Sequence, residues 1–478
     1  MSAASPLLLR LRTAPFLSTR SPAPPPRPGT RGQTYRPGAR RRPGQVVAAG
    51  FVVAIVLGAS LLLLPAASTT AHRPTILEAV FTATSAVCVT GLTVLDTATQ
   101  WTTLGQVVIM ALIQVGGFGV MTLASLLGLL LSRRLNLRTR MVSASATRSV
   151  GLGDVRTSLV GIGIVTAVVE GSTALVLAAR YVLTYGEEPG RALWLGLFHA
   201  VSAFNNAGFA LYSDSLSSFA TDPWICVPIA VAVVVGGIGF PVILELTRSR
   251  RRPRSWSLHT KITLAASAAL LVVGSAFVTI AEWTNPATLG PLDARGKILA
   301  GVFQGVMPRT AGFNSVDTGA MNNGTWLGTD VLMFIGGGSG STAGGIKVTT
   351  FMVLFVVMWA ELRGDPDSVL FGRRLAPAVQ RQALAVVLLS MATIAVAAIT
   401  ITSTSPFTSD EVLFEVVSAF ATVGLSTGIT AELAPWHQGI IIVLMLAGRL
   451  GPVTLGTALA LRERQRLIRL PEGSPIVG

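Results

Sequence analysis

Long and short apolar stretches alternate along most of this chain. A bilayer core about 30 Å thick needs about 20 helical residues to cross it. Eight stretches reach that length, and they are residues 46–65, 105–131, 157–180, 224–246, 262–281, 330–360, 383–403 and 438–461. Four shorter stretches lie between the members of each pair, at 76–87, 193–204, 297–307 and 410–420. The pattern predicts an all-α polytopic membrane protein with eight transmembrane helices and four re-entrant pore helices.

Each short stretch leads into a copy of one motif, with Phe first, then Ser-Ala, then Gly and a large apolar residue. Three full copies run from Phe81 to Leu92, Phe198 to Phe209 and Phe414 to Leu425. A fourth, from Phe303 to Phe313, is one residue shorter and lacks Ser-Ala. The four glycines lie 117, 104 and 112 residues apart, so the chain consists of four tandem units of helix, pore loop and helix. These units are expected to surround one pseudo-fourfold pore.

The spacing divides the chain into a tail and four units. We assign residues 1–43 to a basic tail, 44–148 to the first unit, 149–255 to the second, 256–375 to the third and 376–478 to the fourth. The tail is rich in Arg and Pro and has no acidic residue, so it cannot bury a core and is predicted to be disordered. We interpret it as a cytosolic tail that contacts anionic lipid.

The charged residues bear on two questions, which are the class of protein and its orientation in the membrane. Only 12% of the residues are charged and the mean hydropathy is +0.63, as expected for a membrane protein. The net charge of +15 comes largely from arginines beside apolar spans, which argues against nucleic-acid binding. The loops after the second helices carry Arg133, Arg134, Arg138, Arg140, Arg148, Arg248, Arg250, Arg251, Arg252, Arg254, Lys261, Arg363, Arg373, Arg374 and Arg381, and the last segment carries Arg462, Arg464, Arg466 and Arg469. Both termini are therefore predicted to be cytosolic.

Few residues offer enzyme or metal chemistry. The two cysteines, Cys88 and Cys226, fall in different units, and the four histidines have no paired spacing. We interpret His199 and His259 as interfacial or loop residues. The sequence predicts neither a disulfide framework, nor a metal centre, nor an enzyme.

The four glycine loops offer a different chemistry. Glycine tolerates positive φ, so carbonyls of consecutive residues can turn toward a common axis. Such carbonyls can replace the water shell of a cation, and each preceding short helix aims its negative end at the same place. The candidate ion-binding residues are Val89, Thr90, Gly91, Asn206, Ala207, Gly208, Thr310, Ala311, Gly312, Thr422, Val423 and Gly424. One such glycine alone would be an ordinary helix terminus, whereas four copies indicate a selectivity filter.

These four loops resemble the pore loops of the Trk/Ktr/HKT superfamily of potassium transporters, and the chain is most similar to the Ktr-type membrane subunit (KtrB-like). The resemblance implies that the loops form a potassium filter in one chain and that two chains form a homodimer. It also implies a cytosolic ring of RCK-type nucleotide-binding subunits (KtrA-like), so that any nucleotide binds only to this regulatory partner. Glycine in all four loops is typical of the potassium-conducting members, and Na⁺ is a possible activator.

Two features of the second helices indicate a gate. In the third unit, residues 335–347 place six glycines in the middle of a span, and each glycine costs about 1 kcal/mol in a helix relative to Ala. We interpret this segment as a plug across the pore below the filter. It resembles the intramembrane gating loop of the family. The alternative is that the glycines only allow close helix packing. Its gating candidates are Gly336, Gly337, Gly338, Ser339, Gly340, Ser341, Thr342, Ala343, Gly344, Gly345 and Lys347.

In the fourth unit, Arg449 stands where the first two units have Gly117 and Gly237. A charge at mid-span is costly, so Arg449 is expected to face water or a partner. The family carries an arginine here. Arg449 is expected either to restrict ion flow beneath the filter or to make a structural contact with loop carbonyls. Arg309, beside the third filter segment, is expected to point away from the axis toward Asp317 or the end of a pore helix. Glu170 needs a polar neighbour that the sequence does not identify.

The sequence therefore predicts a potassium uptake protein of a plasma membrane. A sodium-permeable or sodium-coupled transporter of the same superfamily is the first alternative, and a non-transporting membrane scaffold is the second. The arginine loops at 248–254 and 363–381 are expected to dock the regulatory ring or to bind lipid headgroups.

Overall fold

The computed structural model describes residues 43–69, 73–134 and 152–460. The basic tail predicted at 1–43 falls outside this part of the chain except for its last residue, and so do Arg138, Arg140, Arg148 and the arginines from Arg462 to Arg469. The regular secondary structure of the described part is helical, apart from a short antiparallel hairpin of β1 (Val369–Leu370) and β2 (Arg373–Arg374). The prediction of an all-α fold is confirmed.

The helices follow one order in each unit, with a long helix, a short helix and then a long or divided helix. The first unit contains α1 (Pro43–Leu62), α2 (Ile76–Cys88) and α3 (Thr103–Arg134), and the second contains α4 (Leu152–Tyr185), α5 (Pro189–Phe204), α6 (Pro223–Ile238) and α7 (Phe240–Ser249). The third contains α8 (Leu258–Ala281), α9 (Ala294–Val306), α10 (Asn323–Phe334) and α11 (Val348–Arg363), and the fourth contains α12 (Pro377–Thr402), α13 (Ser409–Ala421) and α14 (Pro435–Ala460). Short 3₁₀ helices lie at Ser217–Phe219, Pro253–Ser255, Thr318–Ala320 and Ile429–Ala431.

The four short helices have well-defined starts. Thr75 and Thr408 form capping boxes with Glu78 and Glu411 at the starts of α2 and α13. Asp293 caps α9 through the N–H of Gly296, and α5 begins with Pro189, whose missing N–H costs nothing there. Most residues in the C-terminal halves of all four helices are buried. These short helices therefore end inside the molecule, as predicted for pore helices.

The second helices are not all continuous. The stretch at 224–246, expected to be one span, is divided at Gly239 into α6 and α7, which meet at an angle of 95°. This stretch does not form one continuous helix because Gly239 has a φ of +100° and Pro241 follows it, so the helix cannot run through this point. The stretch at 330–360 is divided into α10 and α11 by residues 335–347, as the glycines predict.

Length and hydropathy identify fewer crossing helices than the sequence pattern does. Within the described residues, three helices are long and apolar enough to cross a membrane, and they are Leu159–Tyr185, Leu258–Ala281 and Pro377–Thr402. The bent pair of α6 and α7 makes a fourth if it counts as one span. The number of eight spans stays a prediction.

The units pack in a closed cycle. Each short helix contacts the second helix of the preceding unit, so that α5 packs on α3, α9 on α6 and α13 on α10. The cycle closes because α2 of the first unit packs on α14 of the fourth. The main hydrophobic core lies around the short helices, where Phe81, Phe198, Phe303 and Phe414 of the repeated motif are all buried.

Candidate functional site

The four motif glycines lie against one another at the centre of this cycle. A Cβ atom on Gly91 would collide with the carbonyl oxygen of Ala207, and one on Gly208 with that of Ala311. In the same way a Cβ on Gly312 would meet the oxygen of Val423, and one on Gly424 would meet that of Thr90. The structure therefore brings the four predicted filter segments together, each beside the next, with the fourth beside the first.

The four loops share an unusual backbone. Within each loop, φ is positive at the glycine and also two residues before it. The earlier residues are Val89, Asn206, Thr310 and Thr422, with φ between 51° and 66°. Positive φ is rare for non-glycine residues and is strained for β-branched ones. Four copies of this conformation at one level show that the loops adopt a common shape rather than ordinary helix ends.

The Ser-Ala part of the motif holds this shape. The hydroxyl of Ser85 accepts a hydrogen bond from Gly91 N at 3.1 Å, and the hydroxyl of Ser418 accepts one from Gly424 N at 3.1 Å. The carbonyl oxygens of the same serines accept from Thr90 N at 2.8 Å and Val423 N at 2.9 Å. In the third loop, which lacks Ser, Ala311 N donates instead to Met307 O at 3.0 Å.

A cavity of about 340 Å³ opens on one side of the glycines. All four glycines line it, and so do the carboxylate residues Asp96 and Asp317. Asp96 accepts hydrogen bonds from Ala98 N at 2.9 Å and from the hydroxyl of Thr99 at 3.0 Å. Two acidic residues at the mouth of a cavity favour the entry of cations.

The glycine-rich segment 335–347 packs against two of the predicted filter segments. The hydroxyl of Thr342 donates to Asn206 Oδ1 at 2.8 Å, below the second loop. A Cβ on Gly344 would collide with the hydroxyl of Thr422 in the fourth loop. The segment is therefore in direct contact with the first residue of two predicted filter segments.

Both cations that were predicted to act in gating contact this segment. Arg449 is buried, and its Nη1 donates to the carbonyl oxygen of Thr342. Lys347 Nζ donates to Ala343 O at 2.6 Å, so Lys347 is tied to the segment and does not extend toward the membrane surface. Nε and Nη2 of Arg449 have no hydrogen-bond partner among the described residues. Arg449 therefore makes a contact with a loop carbonyl, which was the structural alternative to a role in restricting ion flow.

The divided helix of the second unit forms backbone hydrogen bonds with segment 335–347. Because α6 ends at Ile238, the carbonyls of Gly236 and Gly237 are free to accept from Thr342 N at 3.3 Å and Gly338 N at 2.8 Å. Beyond the break, Phe240 N donates to Gly340 O at 3.2 Å. Backbone hydrogen bonds on both sides of the 95° bend therefore connect it to segment 335–347.

Two further sequence candidates are now placed. Arg309 is buried, and its Nη2 donates to the hydroxyl of Ser267 at 3.4 Å; among the described residues it makes no hydrogen bond to Asp317. The neighbours of Glu170 are Asn205, whose Nδ2 donates to it at 3.0 Å, and Gln114, whose Nε2 donates at 3.4 Å. Asn205 immediately precedes Asn206, so Glu170 is bonded next to the second predicted filter segment.

Sequence reasoning missed the residue that follows each motif Phe. These residues are Thr82, His199, Gln304 and Glu415, and all four are buried. The interpretation of His199 as an interfacial or loop residue was wrong, because its ring is fully buried between the pore helix and the loop beyond Gly208. The signal was present in the sequence: this position is polar in all four units although it lies in an apolar stretch.

Comparison with known proteins shows a consistent set of relatives. The chain is 43% identical over 442 residues to the Ktr system potassium uptake protein B of Bacillus subtilis. This match covers 92% of this chain and 97% of that protein. It is 39% identical to the Ktr system potassium uptake protein B of Vibrio alginolyticus, over 94% of this chain and 99% of that protein. It is 36% identical to the potassium/sodium uptake protein NtpJ of Enterococcus hirae, over 92% and 98% of the two chains.

The fold is also similar to that of a solved structure. The crystal structure of the potassium transporter TrkH from Vibrio parahaemolyticus matches with a TM-score of 0.69 and 18% identity, over 91% of this chain and 87% of that one. These relatives are transporters, which confirms that the chain is not an enzyme. Residues 30–466 match the TrkH family, described as cation transport proteins. The chain therefore belongs to the TrkH family of cation transport proteins, as the resemblance of its loops predicted.

Proposed function

We propose that this protein takes up potassium ions across a plasma membrane through a filter of main-chain carbonyls. The observation that carries the proposal is the ring of four motif glycines, each packed against a carbonyl oxygen of the next loop. The names of the most similar relatives, at 43% and 39% identity, support potassium as the ion. A negative-inside membrane potential would drive entry by about 2.3 kcal/mol per charge for each 100 mV.

The proposed ion-binding residues are the three of each loop that end at Gly91, Gly208, Gly312 and Gly424. Their carbonyls would replace the hydration shell of the ion without adding a formal charge. The buried hydroxyls of Thr310 and Thr422 have no hydrogen-bond partner in the part of the chain that the structure describes. Since buried polar atoms are normally paired, these two oxygens are available to a cation at the inner end of the filter.

The proposed gate consists of segment 335–347 together with Arg449. The segment contacts the second and fourth filter loops, and Arg449 and Lys347 each donate to its carbonyls. Ion flow would require these contacts to open. Arg449 would then act both as a tether of the segment and as a positive charge beside the path.

The proposed partners rest on the family and on surface charge. We propose a homodimer with a cytosolic RCK-type ring that carries the regulatory nucleotide, with Na⁺ as a possible activator and both termini in the cytosol. The relatives' names place them in a Ktr system, which supports a second component. The arginines of the loop at 248–254 and those at positions 363, 373, 374 and 381 are exposed, so they can contact this ring or lipid headgroups.

A glycine substitution tests the filter. We expect Gly91→Ser and Gly208→Ser to abolish potassium-dependent growth of a host that lacks its own uptake systems, because each side chain would collide with a carbonyl of the neighbouring loop and φ is positive at both sites. Gly439→Ser is the control, because a Cβ at Gly439 meets no atom within 4 Å. Full growth of both filter variants would contradict the proposal and favour a membrane scaffold.

A sodium-permeable or sodium-coupled transporter is the second candidate. The observation in its favour is the 36% identity to a protein named for potassium and sodium uptake. The same growth test, run with and without sodium and with uptake of each ion measured, separates the two. Equal uptake of both ions would favour the second candidate.

A further inference from the structure

The buried polar residue after each motif Phe makes the same contact in three units. His199 Nε2 accepts a hydrogen bond from Leu211 N at 3.3 Å, and Gln304 Oε1 accepts one from Ser315 N at 3.0 Å. Glu415 Oε1 accepts one from Thr427 N at 2.9 Å. Leu211, Ser315 and Thr427 are each the third residue after a motif glycine. Three different side chains thus bind the same backbone atom of three loops.

His199 is fixed in one tautomer by this arrangement. Its Nδ1 lies 2.7 Å from the carbonyl oxygen of Leu195, so Nδ1 carries the proton and Nε2 is the acceptor. The ring also stacks on Tyr212, with the centroids 5.6 Å apart. Both ring nitrogens are therefore used to connect the pore helix α5 to the loop that follows Gly208.

Glu415 makes the most extensive of these contacts. Besides Thr427 N, its carboxylate accepts hydrogen bonds from the hydroxyls of Ser426 and Thr427, and from that of Thr430 at 2.7 Å. Four donors in one loop converge on a single buried carboxylate, which offsets the cost of burying its charge. Gln304 holds the third loop with fewer contacts, and Ser315 adds a hydrogen bond to Ala300 O at 3.0 Å.

The first unit lacks this contact. Its equivalent residue, Thr82, donates its hydroxyl to Glu78 O at 2.8 Å, which is a bond within α2. The loop after Gly91 is held instead near Asp96, whose carboxylate accepts hydrogen bonds from Ala98, Thr99 and Ser213. The chain therefore contains an internal control position for the other three.

We propose that His199, Gln304 and Glu415 are positioning residues that fix the outer end of the filter and thereby determine its preference for K⁺ over Na⁺. The inference rests on the proposed function, since it assigns a role behind the proposed filter. The bonded N–H groups lie three residues beyond the filter glycines, and residues between them, including Ala210, Asn314 and Ser426, line the cavity above the ring. Holding these N–H groups to the pore helices keeps the ring from contracting.

The link to selectivity follows from ion size. Sodium is smaller than potassium, so it requires oxygen atoms to approach more closely. A ring that can contract will accommodate sodium, whereas a ring held open at the potassium distance will not. Loss of a hydrogen bond behind the ring should therefore raise sodium uptake relative to potassium uptake while the carbonyls themselves remain in place.

The test uses the purified full-length protein in liposomes, with potassium and sodium uptake measured separately. We expect His199→Leu and Gln304→Met to lower the ratio of potassium to sodium uptake by about threefold to tenfold, the factor that corresponds to one lost buried hydrogen bond. His199→Gln should keep the wild-type ratio, because Gln304 shows that an amide oxygen at this position can accept the bond. Thr82→Val is the matched control and should also keep it.

The outcomes separate this inference from the proposed function. If the wild-type protein moves potassium selectively and both His199→Leu and Gln304→Met keep its ion ratio, the positioning role is wrong although the filter stands. A shift in Thr82→Val as large as that in Gln304→Met would also overturn the role. If the wild-type protein does not move potassium at all, the proposed function fails first. Gln304→Met, which nearly preserves side-chain volume, decides the matter if His199→Leu does not fold.

Discussion

Single residues in the loops adopt conformations that their side chains disfavour. Val89, Thr310 and Thr422 are β-branched and have φ between 51° and 66°, a region that costs on the order of 1–3 kcal/mol per residue. All three are completely buried. Their neighbours hold them in place, through bonds such as Thr90 N to Ser85 O at 2.8 Å. Backbone strain is thus repeated at the same position of the loops that carry the proposed filter.

Arg449 allows the gate to be tested at the scale of one residue. We expect Arg449→Ala to raise potassium flux several-fold, because segment 335–347 loses the hydrogen bond at Thr342 O and the path loses a fixed positive charge. Flux into liposomes measures the effect. Lys347→Gln is the comparison, since it keeps Arg449 and retains polar atoms near Ala343 O. Unchanged flux and unchanged regulation in Arg449→Ala would discard the gate role.

At the scale of elements, the bend between α6 and α7 and segment 335–347 depend on each other. A continuous helix would use the carbonyl of Gly236 to accept from Phe240 N, and then Thr342 N would have no acceptor there and Gly340 O would lose its donor. The exposed arginines begin with Arg248 in the last turn of α7 and continue in the loop that follows this helix. A force on this basic loop would therefore be transmitted through α7 to the proposed gate.

A substitution at the bend tests this coupling. A Cβ on Gly239 would lie 2.8 Å from Ser339 O, and φ there is +100°. We expect Gly239→Ala to displace segment 335–347 and to raise basal potassium flux, since the hydrogen bond from Phe240 N to Gly340 O is lost. Gly171→Ala in α4 is the control, because a Cβ there meets no atom within 4 Å. The coupling is refuted if the two variants show the same flux.

For the whole molecule, the important property is that no single unit forms the proposed filter. Every motif glycine packs on a loop of another unit, and every short helix packs on the second helix of the unit before it. An ion bound at the centre would contact all four units at once. Binding would therefore stabilise the assembly of units rather than one loop.

Potassium should accordingly raise the melting temperature of the purified protein. At 100 times its dissociation constant, a ligand that binds only the native state adds about 2.7 kcal/mol to the free energy of unfolding. We expect a clear increase in KCl over N-methylglucamine chloride of equal ionic strength, with a smaller one in NaCl. Gly91→Ser should lose this increase. A wild-type melting temperature that is the same in all three salts would contradict binding at the ring.

Much of this architecture could be predicted from the sequence, because it is repeated. Four copies of the motif located the short helices to within a few residues, and Gly91 and its counterparts indicated where the loops meet. The bend at Gly239 was missed because Gly237 and Gly239 occur in a strongly apolar stretch that reads as one span. Gly239 and Pro241 permit the break, and Phe240 N donates to Gly340 O beside it.

Other features could not be predicted because they depend on contacts between distant units. The sequence shows Glu170 in a span but not that Asn205 and Gln114 lie beside it. His199 reads as an isolated histidine until Leu211 is seen to bind it. A side chain that holds a loop is recognised by its hydrogen-bond partner, and the local sequence pattern does not show which distant residue that partner is.

The closed cycle also has a consequence for biosynthesis. Gly424 of the last unit packs on Thr90 of the first, so the first loop lacks its neighbour until nearly the whole chain has left the ribosome. The contact of the first loop with Gly424 cannot form before then. A partly synthesised chain would thus contain no open conduit, and the membrane would be protected from leakage while translation is under way.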